Sequence, residues 1–421
     1  MTDTRVTRGI VVLPSYIEDE GTVGLADYQR AVELTDRLPP GELITPVMGL
    51  FGEIGSLLAV IKKKRRDTTA YATYDEAILE ELGDVLWYLT CIVSRAGLDL
   101  SVLCQRVFRD FEDWDIVEPQ FGTWGDVPRA RPPGDDAEVL ERMSALAELA
   151  GELVGDLRTR KLDGNRDRLS GDLVAILRAV VFTAEAADID LDRAVRANLQ
   201  KTFSRWPIER RYPPIADGEL PPNERLPRRF DVCVREHQAN GKTYVLQERN
   251  GVIIGDRLTD NKRESDDYRF HDVFHIAYAV HLGWSPVLRA LFRVKRKSRP
   301  ELDESEDGAR AILIEEGIAT FIFGRALERR LFAGLDHLDY DLLKLVQGFV
   351  RGFEPERCAP WQWEQAILDG FRVFRELKRT RRGRVCADLL AHTLTFEPLE
   401  EDVHGGDLLA AAPQVAGHRR T

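Results

Sequence analysis

Glu53 with Ser56 and Glu81 with Asp84 each stand three positions apart, in two segments whose remaining pattern is apolar with a helical period. On a helix, residues three apart share a face. Leu57, Ile61, Leu82, Leu86 and Leu89 recur at neighbouring positions, which sets the acids close to a core. A carboxylate there is costly unless a cation joins it. Magnesium is the usual partner for such oxygens, because it keeps water or phosphate in its remaining positions. The basic run Lys62-Lys63-Lys64-Arg65-Arg66 follows the first pair. Lys62 and Lys63 would offer charge to a departing phosphate, against the plainer reading of the run as a solvated face.

A second set lies far downstream, in DNKRESDDYRFHDVFHIAYAVHLGWSPV. His271 and His275 are four apart, the spacing at which one helical face presents two imidazoles to a metal. Glu315 and Glu316, in AILIEEGIATFIF, offer a carboxylate as third ligand, which makes His271, His275 and Glu315 a candidate second metal site. Asp272, not Glu, follows the first histidine, so the stretch is not the HExxH of zinc proteases. The plainer reading has both histidines hydrogen-bonded in a core.

The elements that must hold the first set are helices. Thr45-Pro46 is a helix start, with a capping side chain ahead of a first-turn proline. Thr73 with Glu76 forms a capping-box pattern before the second acidic segment. Gly97 then Asp99 predicts one helix stopping and the next being capped. That next helix carries Val102, Val107 and Phe111 and fades at Trp114.

GLFGEIGSL, EELGDVLWYL, the flanking Tyr28-Gln29 and the closing Gly97-Leu98-Asp99-Leu100 together resemble the MazG-type nucleoside triphosphate pyrophosphohydrolases, the all-α NTP pyrophosphatases. The mark of that family is ExxE on one helix and ExxD on the next, and Ser56 stands here where its second Glu is expected. The resemblance covers about the first quarter of the chain. It implies Glu53, Glu81 and Asp84 as catalytic residues and ligands of magnesium, with manganese as a substitute. It also implies hydrolysis of a nucleoside triphosphate to monophosphate and pyrophosphate.

LAELAGELVGDLRTRK then resembles GLFGEIGSLLAVIKKK, with Gly151 under Gly55 and Glu152 under Ser56. Asp188-Ile189-Asp190-Leu191 falls under Gly97-Leu98-Asp99-Leu100, and Trp206 under Trp114. By the same count Leu149 replaces Glu53, Asp172 replaces Glu81 and Ala175 replaces Asp84. Residues 136–212 therefore read as a second, degenerate repeat. Its end, Asn198-Leu-Gln-Lys201-Thr-Phe-Ser-Arg205-Trp206-Pro207, resembles the NxxKxxxR[YW]P ending of the family. That implies Asn198, Lys201 and Arg205 facing the phosphates. Pairing of the repeats, as an intrachain pseudo-dimer or in a homodimer, would let Glu152 restore the charge missing at Ser56.

Beyond a proline-rich linker the texture changes. FDVCVREH and KTYVLQER flank Asn240-Gly241 and predict a β-hairpin, with VIIG as a third strand. From about residue 268 to 394 the pattern reads as helical. FHDVFH, LGWSPV, KRKSRP (295–300) and EDGARA (306–311) resemble the C-terminal domain fused to some MazG-like domains.

The expected fold is thus mainly α: two all-α NTP-pyrophosphatase-like bundles in tandem, 1–120 and 136–212. An α-rich domain, 228–400, opens on a small hairpin, and 401–421 forms a tail. The first ~25 residues read as an arm, with an apolar run too short for a signal peptide. Net charge is −12, so a general nucleic-acid grip is not expected. Five scattered cysteines without a CxxC pair fit a reducing cytosol. No apolar stretch approaches ~18 residues, so a soluble cytoplasmic protein without membrane contact is expected. Three functions stay open: a magnesium-dependent pyrophosphohydrolase, a nucleotide-binding sensor signalling through residues 228–400, and a separate metal enzyme in that second half.

Overall fold

The computed structural model describes residues 21–67, 73–109, 122–127 and 134–399, with positions 11, 13–15 and 17. Phe111, Trp114, most of residues 115–135 and the 401–421 tail lie outside the described residues. The chain divides into two compact units, Val11–Arg211 and the part from Tyr212 onward. Each has a hydrophobic core of its own.

The first unit is helical: α1 Leu25–Thr35, α2 Ile44–Asp67, α3 Tyr74–Arg95, α4 Leu100–Arg109, α5 Asp136–Arg158, α6 Arg166–Ala186 and α7 Leu191–Arg205. α2 starts at Ile44 and takes Pro46 in its first turn, where a missing N–H costs nothing. Thr73 sits at the N-cap of α3, but its side chain makes no capping bond; Asp75 and Glu76 meet the helix dipole instead. α2 buries Leu50, Ile54, Leu57 and Ile61 and packs against both α3 and α5. Among the described residues it is the one helix long and apolar enough to cross a membrane. α3 packs against α6 and α7, and α4 against α6, so the earlier and later helices share one core.

The corner between α3 and α4 recurs between α6 and α7. Gly97 has φ +64° and Asp188 φ +55°. Leu98 N donates to Val93 O at 2.9 Å, as Ile189 N does to Ala184 O at 2.8 Å. Asp99 caps Ser101 and Val102 at 2.7 and 3.1 Å, and Asp190 caps Arg193 at 3.1 Å. Gln29 clamps the first corner, donating to Leu98 O at 3.0 Å and accepting from Leu100 N at 2.8 Å.

The second unit combines helices with a five-stranded antiparallel sheet of order β3-β2-β1-β4-β5. The strands are β1 Arg229–Ala239, β2 Lys242–Arg249, β3 Val252–Leu258, β4 Arg382–Asp388 and β5 Thr393–Glu397. Its helices are α8 Asp272–Leu282, α9 Pro286–Leu291, α10 Pro300–Ser305, α11 Ala309–Leu327, α12 Tyr340–Phe349 and α13 Pro360–Thr380. Asn240-Gly241 and Asn250-Gly251 both carry positive φ at each residue, the backbone a tight hairpin needs. The small hairpin expected from sequence supplies two of the five strands, and VIIG lies in a third. α13 stops at Arg381, φ +61°, and the chain enters β4, which pairs with β1 through Val232 and Val385. The helical reading of residues 380–394 therefore fails: RVCAD is a short strand whose partner β1 lies some hundred and fifty residues earlier, and TLTFE pairs with RVCAD in turn. Every residue of α8 is buried, and the helix packs on α13, β4 and β5.

Candidate functional site

α2 and α3 lie side by side and bring Glu53, Glu81 and Asp84 together, one carboxylate oxygen from each within 4.8 Å of the others. All three are half-buried. Ligand atoms around an octahedral cation with ~2.1 Å bonds lie ~3 to ~4.2 Å apart, so small side-chain rotations close this set on an ion. Burial pushes the Glu53 carboxyl up to about 7; the charges of Asp84 and Glu81 add to the rise, while Lys201 opposes it. Glu81 is raised too, by burial first and then by Asp84 and Glu80. Carboxylates that resist ionisation side by side would be relieved by any cation that joined them.

α7 crosses α3 beside this cluster. Asn198 Nδ2 donates to Asp84 Oδ1 at 2.9 Å, and Lys201 Nζ donates to Asp84 Oδ2. Lys201 Nζ also lies 3.0 Å from Glu80 Oε1. Burial works against the Lys201 ammonium, but Asp84 and Glu80 hold its pKa above the usual lysine range. The crossing depends on Gly83, since a Cβ there would meet Ala194 O at 2.8 Å and Asn198 Cβ at 3.0 Å. Tyr28 OH, wholly buried, reaches Asn198 Oδ1 at 3.4 Å. Asn198 and Lys201 thus meet the acidic cluster across 114 residues of sequence or more.

The other expected residues lie differently. Lys62 and Lys63 are exposed on α2, and their neighbour Lys64 bonds Asp136 at 3.1 Å and sits 3.9 Å over the Tyr74 ring. Arg205 lies over the Trp206 ring, 4.6 Å from its centroid. Glu152, on α5, acts electrostatically on Asp172 of α6. Asp172 is raised by burial, with Arg168 pulling against Asp156 and Glu152. Arg168 and Lys161 neutralise Asp156 directly. Three contributors are not apparent from motif spacing: Glu80, Gly83 and Tyr88. Tyr88 packs where a Gly49 side chain would stand, and its hydroxyl is raised by burial and by the charges of Glu53 and Asp84. The glycines in GLFGEIGSL and EELGDV were the available signal, since a helical Gly marks close approach.

In the second unit His271, His275 and Glu316 bring one ligand atom each within 4.8 Å of one another. The sequence pointed to Glu315 as the third member. Glu315 instead lies behind His275, fully buried, with Oε1 2.9 Å from His275 Nδ1 and 2.7 Å from Ser285 Oγ, and Oε2 accepting from Val287 N at 2.9 Å. Successive helical residues point ~100° apart, so only one of the pair can face the histidines' other edge. That residue is Glu316.

Comparison with known proteins adds a relation for the second unit. Residues 211–400 match the family model of the MazG C-terminal domain, which supports a MazG-type relation. Over 61 residues the chain is 36% identical to the Gene 37 protein of Mycobacterium phage L5. That match covers 14% of this chain and 54% of the phage protein, so it spans about half the length of that relative. No solved structure matches.

Proposed function

We propose that the first unit hydrolyses nucleoside triphosphates between the α and β phosphates, releasing monophosphate and pyrophosphate. The observation that supports this most is the convergence of Glu53, Glu81 and Asp84 with Lys201 and Asn198 of another helix. The three carboxylates suit magnesium, or manganese in its place, which when bound would draw charge from the phosphates and acidify a water. In this reading one carboxylate of the set takes the proton as that water attacks. Asn198 fixes Asp84 through its amide, and Lys201 meets negative charge developing on the phosphates. In this reading the two helical repeats act as a tandem, the first giving acids and the second the amide and ammonium. Their shared core would then make the dimer-like pairing internal to the chain. The MazG-type relation of the second unit supports the assignment.

The test is pyrophosphate release by the full chain with magnesium, over common and modified ribo- and deoxynucleoside triphosphates. Glu81→Gln and Asp84→Asn are expected to lower kcat/KM by roughly 10²-fold or more. Release from no nucleotide at all would end the enzymatic reading.

A second reading, a nucleotide sensor with feeble turnover, is favoured by Ser56 and by the Lys201 ion pair, which already neutralises one carboxylate. Ser56→Glu separates the two. A large gain in turnover marks the natural chain as a sensor, whereas no gain over an already fast reaction supports the enzyme.

A further inference from the structure

We infer that the second unit holds a divalent transition cation of the zinc class on His271 Nε2, His275 Nε2 and a Glu316 carboxylate oxygen, with one coordination position open beside Asp272.

The argument starts from the histidine protons. His275 Nδ1 lies 2.9 Å from the Glu315 carboxylate, and His271 Nδ1 lies 2.9 Å from the Tyr268 carbonyl oxygen. Each acceptor takes a hydrogen from Nδ1, so in the neutral tautomer that binds a metal each ring carries its lone pair on Nε2. Those two nitrogens face the same carboxylate: Glu316 Oε2 is 3.5 Å from His275 Nε2 and 3.7 Å from His271 Nε2. Asp272 Oδ1 stands 3.2 Å from His271 Nε2. In that tautomer three acceptor atoms, His271 Nε2, His275 Nε2 and a Glu316 oxygen, converge, with Asp272 beside the first. His275 is fully buried and its Nε2 makes no hydrogen bond. Among the described residues, no Lys or Arg pairs with Asp272 or Glu316.

Ligand atoms around a tetrahedral ion with ~2.0–2.1 Å bonds lie ~3.3–3.4 Å apart. The observed 3.5 and 3.7 Å fit that figure without backbone movement. Two imidazoles and one carboxylate suit zinc and its neighbours rather than magnesium. The outer partners that usually steady such ligands are also present. Glu315 is itself held by Ser285 and the Val287 amide, so it locks the His275 ring. Tyr268 stacks on His271 at 4.3 Å between centroids, with its hydroxyl 2.8 Å from Thr320 Oγ1. Gln247 Nε2 donates to Asp272 Oδ2 and leaves Oδ1 turned to the cluster. Three protein ligands and a fixed carboxylate beside an open position are the arrangement of a reactive centre, not of a closed structural one.

Chelator-stripped full-length protein titrated with Zn²⁺ is expected to take up one tight equivalent that survives Glu53→Gln/Glu81→Gln/Asp84→Asn, which separates it from the acidic cluster of the first unit. Glu316→Gln and His271→Gln should weaken that equivalent by more than about a hundredfold, beyond the ~10–100-fold loss usual for an outer partner. Glu316 is 38% exposed, so Glu316→Gln should leave the melting temperature of the stripped protein unchanged. Co²⁺ in the unmutated chain should give the intense visible bands of a tetrahedral site, a readout independent of any variant. Absence of Zn²⁺ uptake, uptake indifferent to Glu316→Gln and His271→Gln, or octahedral Co²⁺ spectra would each overturn the assignment and leave a buried imidazolium–carboxylate pair.

Discussion

At the scale of single residues, Lys201 has two opposed effects. Its ammonium neutralises Asp84 and Glu80, which lets four acids approach one another, yet it competes with any cation for the same Asp84 oxygen. Lys201→Met removes both effects. Magnesium is expected to bind more tightly because Asp84 is freed, while kcat falls roughly 10²-fold because no ammonium meets the phosphate charge. Magnesium titrations of the initial rate check both halves, and a fall in kcat with weaker magnesium binding would sink the argument. Glu53, Glu81 and Asp84 were legible in the sequence because helical spacing alone puts paired acids on one stripe. Glu80 and Tyr88 were not, since their roles come from a lysine 121 positions on and from a ring laid against Gly49. The Glu315 and Glu316 pair shows the same limit, for spacing cannot say which of two adjacent acids faces a histidine 40 residues away.

At the scale of elements, the site depends on how closely α3 and α7 cross. Gly83 allows the contact, and what a Cβ would strike there is the backbone oxygen of Ala194, which cannot swing aside. Gly83→Ala is expected to cost about 1–3 kcal/mol by overpacking. It should also lower kcat about 10²-fold by displacing Asn198 and Lys201 from Asp84. Gly55→Ala is the control. It lies on α2 two residues from Glu53, ~200° around the helix and exposed, a Cβ there meets nothing within 4 Å, and it should stabilise the helix by roughly 0.5–1 kcal/mol with activity kept. Urea unfolding and rate measurements on both variants decide it; equal behaviour would refute the close-crossing account. Helix ends were readable because caps and positive-φ residues are local, as at Gly97 and Asp99. β4 was not, because a strand of seven residues holds its place only through the distant β1, and β5 then pairs with β4. In the same way nothing local announced that α2 would pack on α5, one of the contacts that join early and late helices in one core.

At the scale of the whole molecule, the two units carry buried acids that set a common pH response. Glu306, 7% exposed in the second unit, is pushed up to about 7 by burial, with the nearby Glu354 charge adding to the rise against Arg296 and the Glu354 amide. Its folded pKa exceeds the unfolded value near 4.5, so the folded state binds the extra proton between those values. The stabilisation is complete below pH ~4.5 and is lost as pH rises through ~7. A shift of this size corresponds to about 3 kcal/mol. Glu53 in the first unit is raised in the same direction, so the metal-free chain loses stability over the same window from both units. The two contributions separate by treatment. Magnesium should restore stability above pH 7 only where Glu53 lies, since a cation replaces the proton there. Glu306→Gln should remove the second contribution whether or not magnesium is present, because the amide keeps an acceptor for Glu354 N without ionising. Urea midpoints at pH 5 and pH 8 are therefore expected to differ less in Glu306→Gln than in the natural chain, and less again when magnesium is added. If Glu306→Gln leaves the pH dependence unaltered, the carboxyl is not what links stability of the second unit to protons.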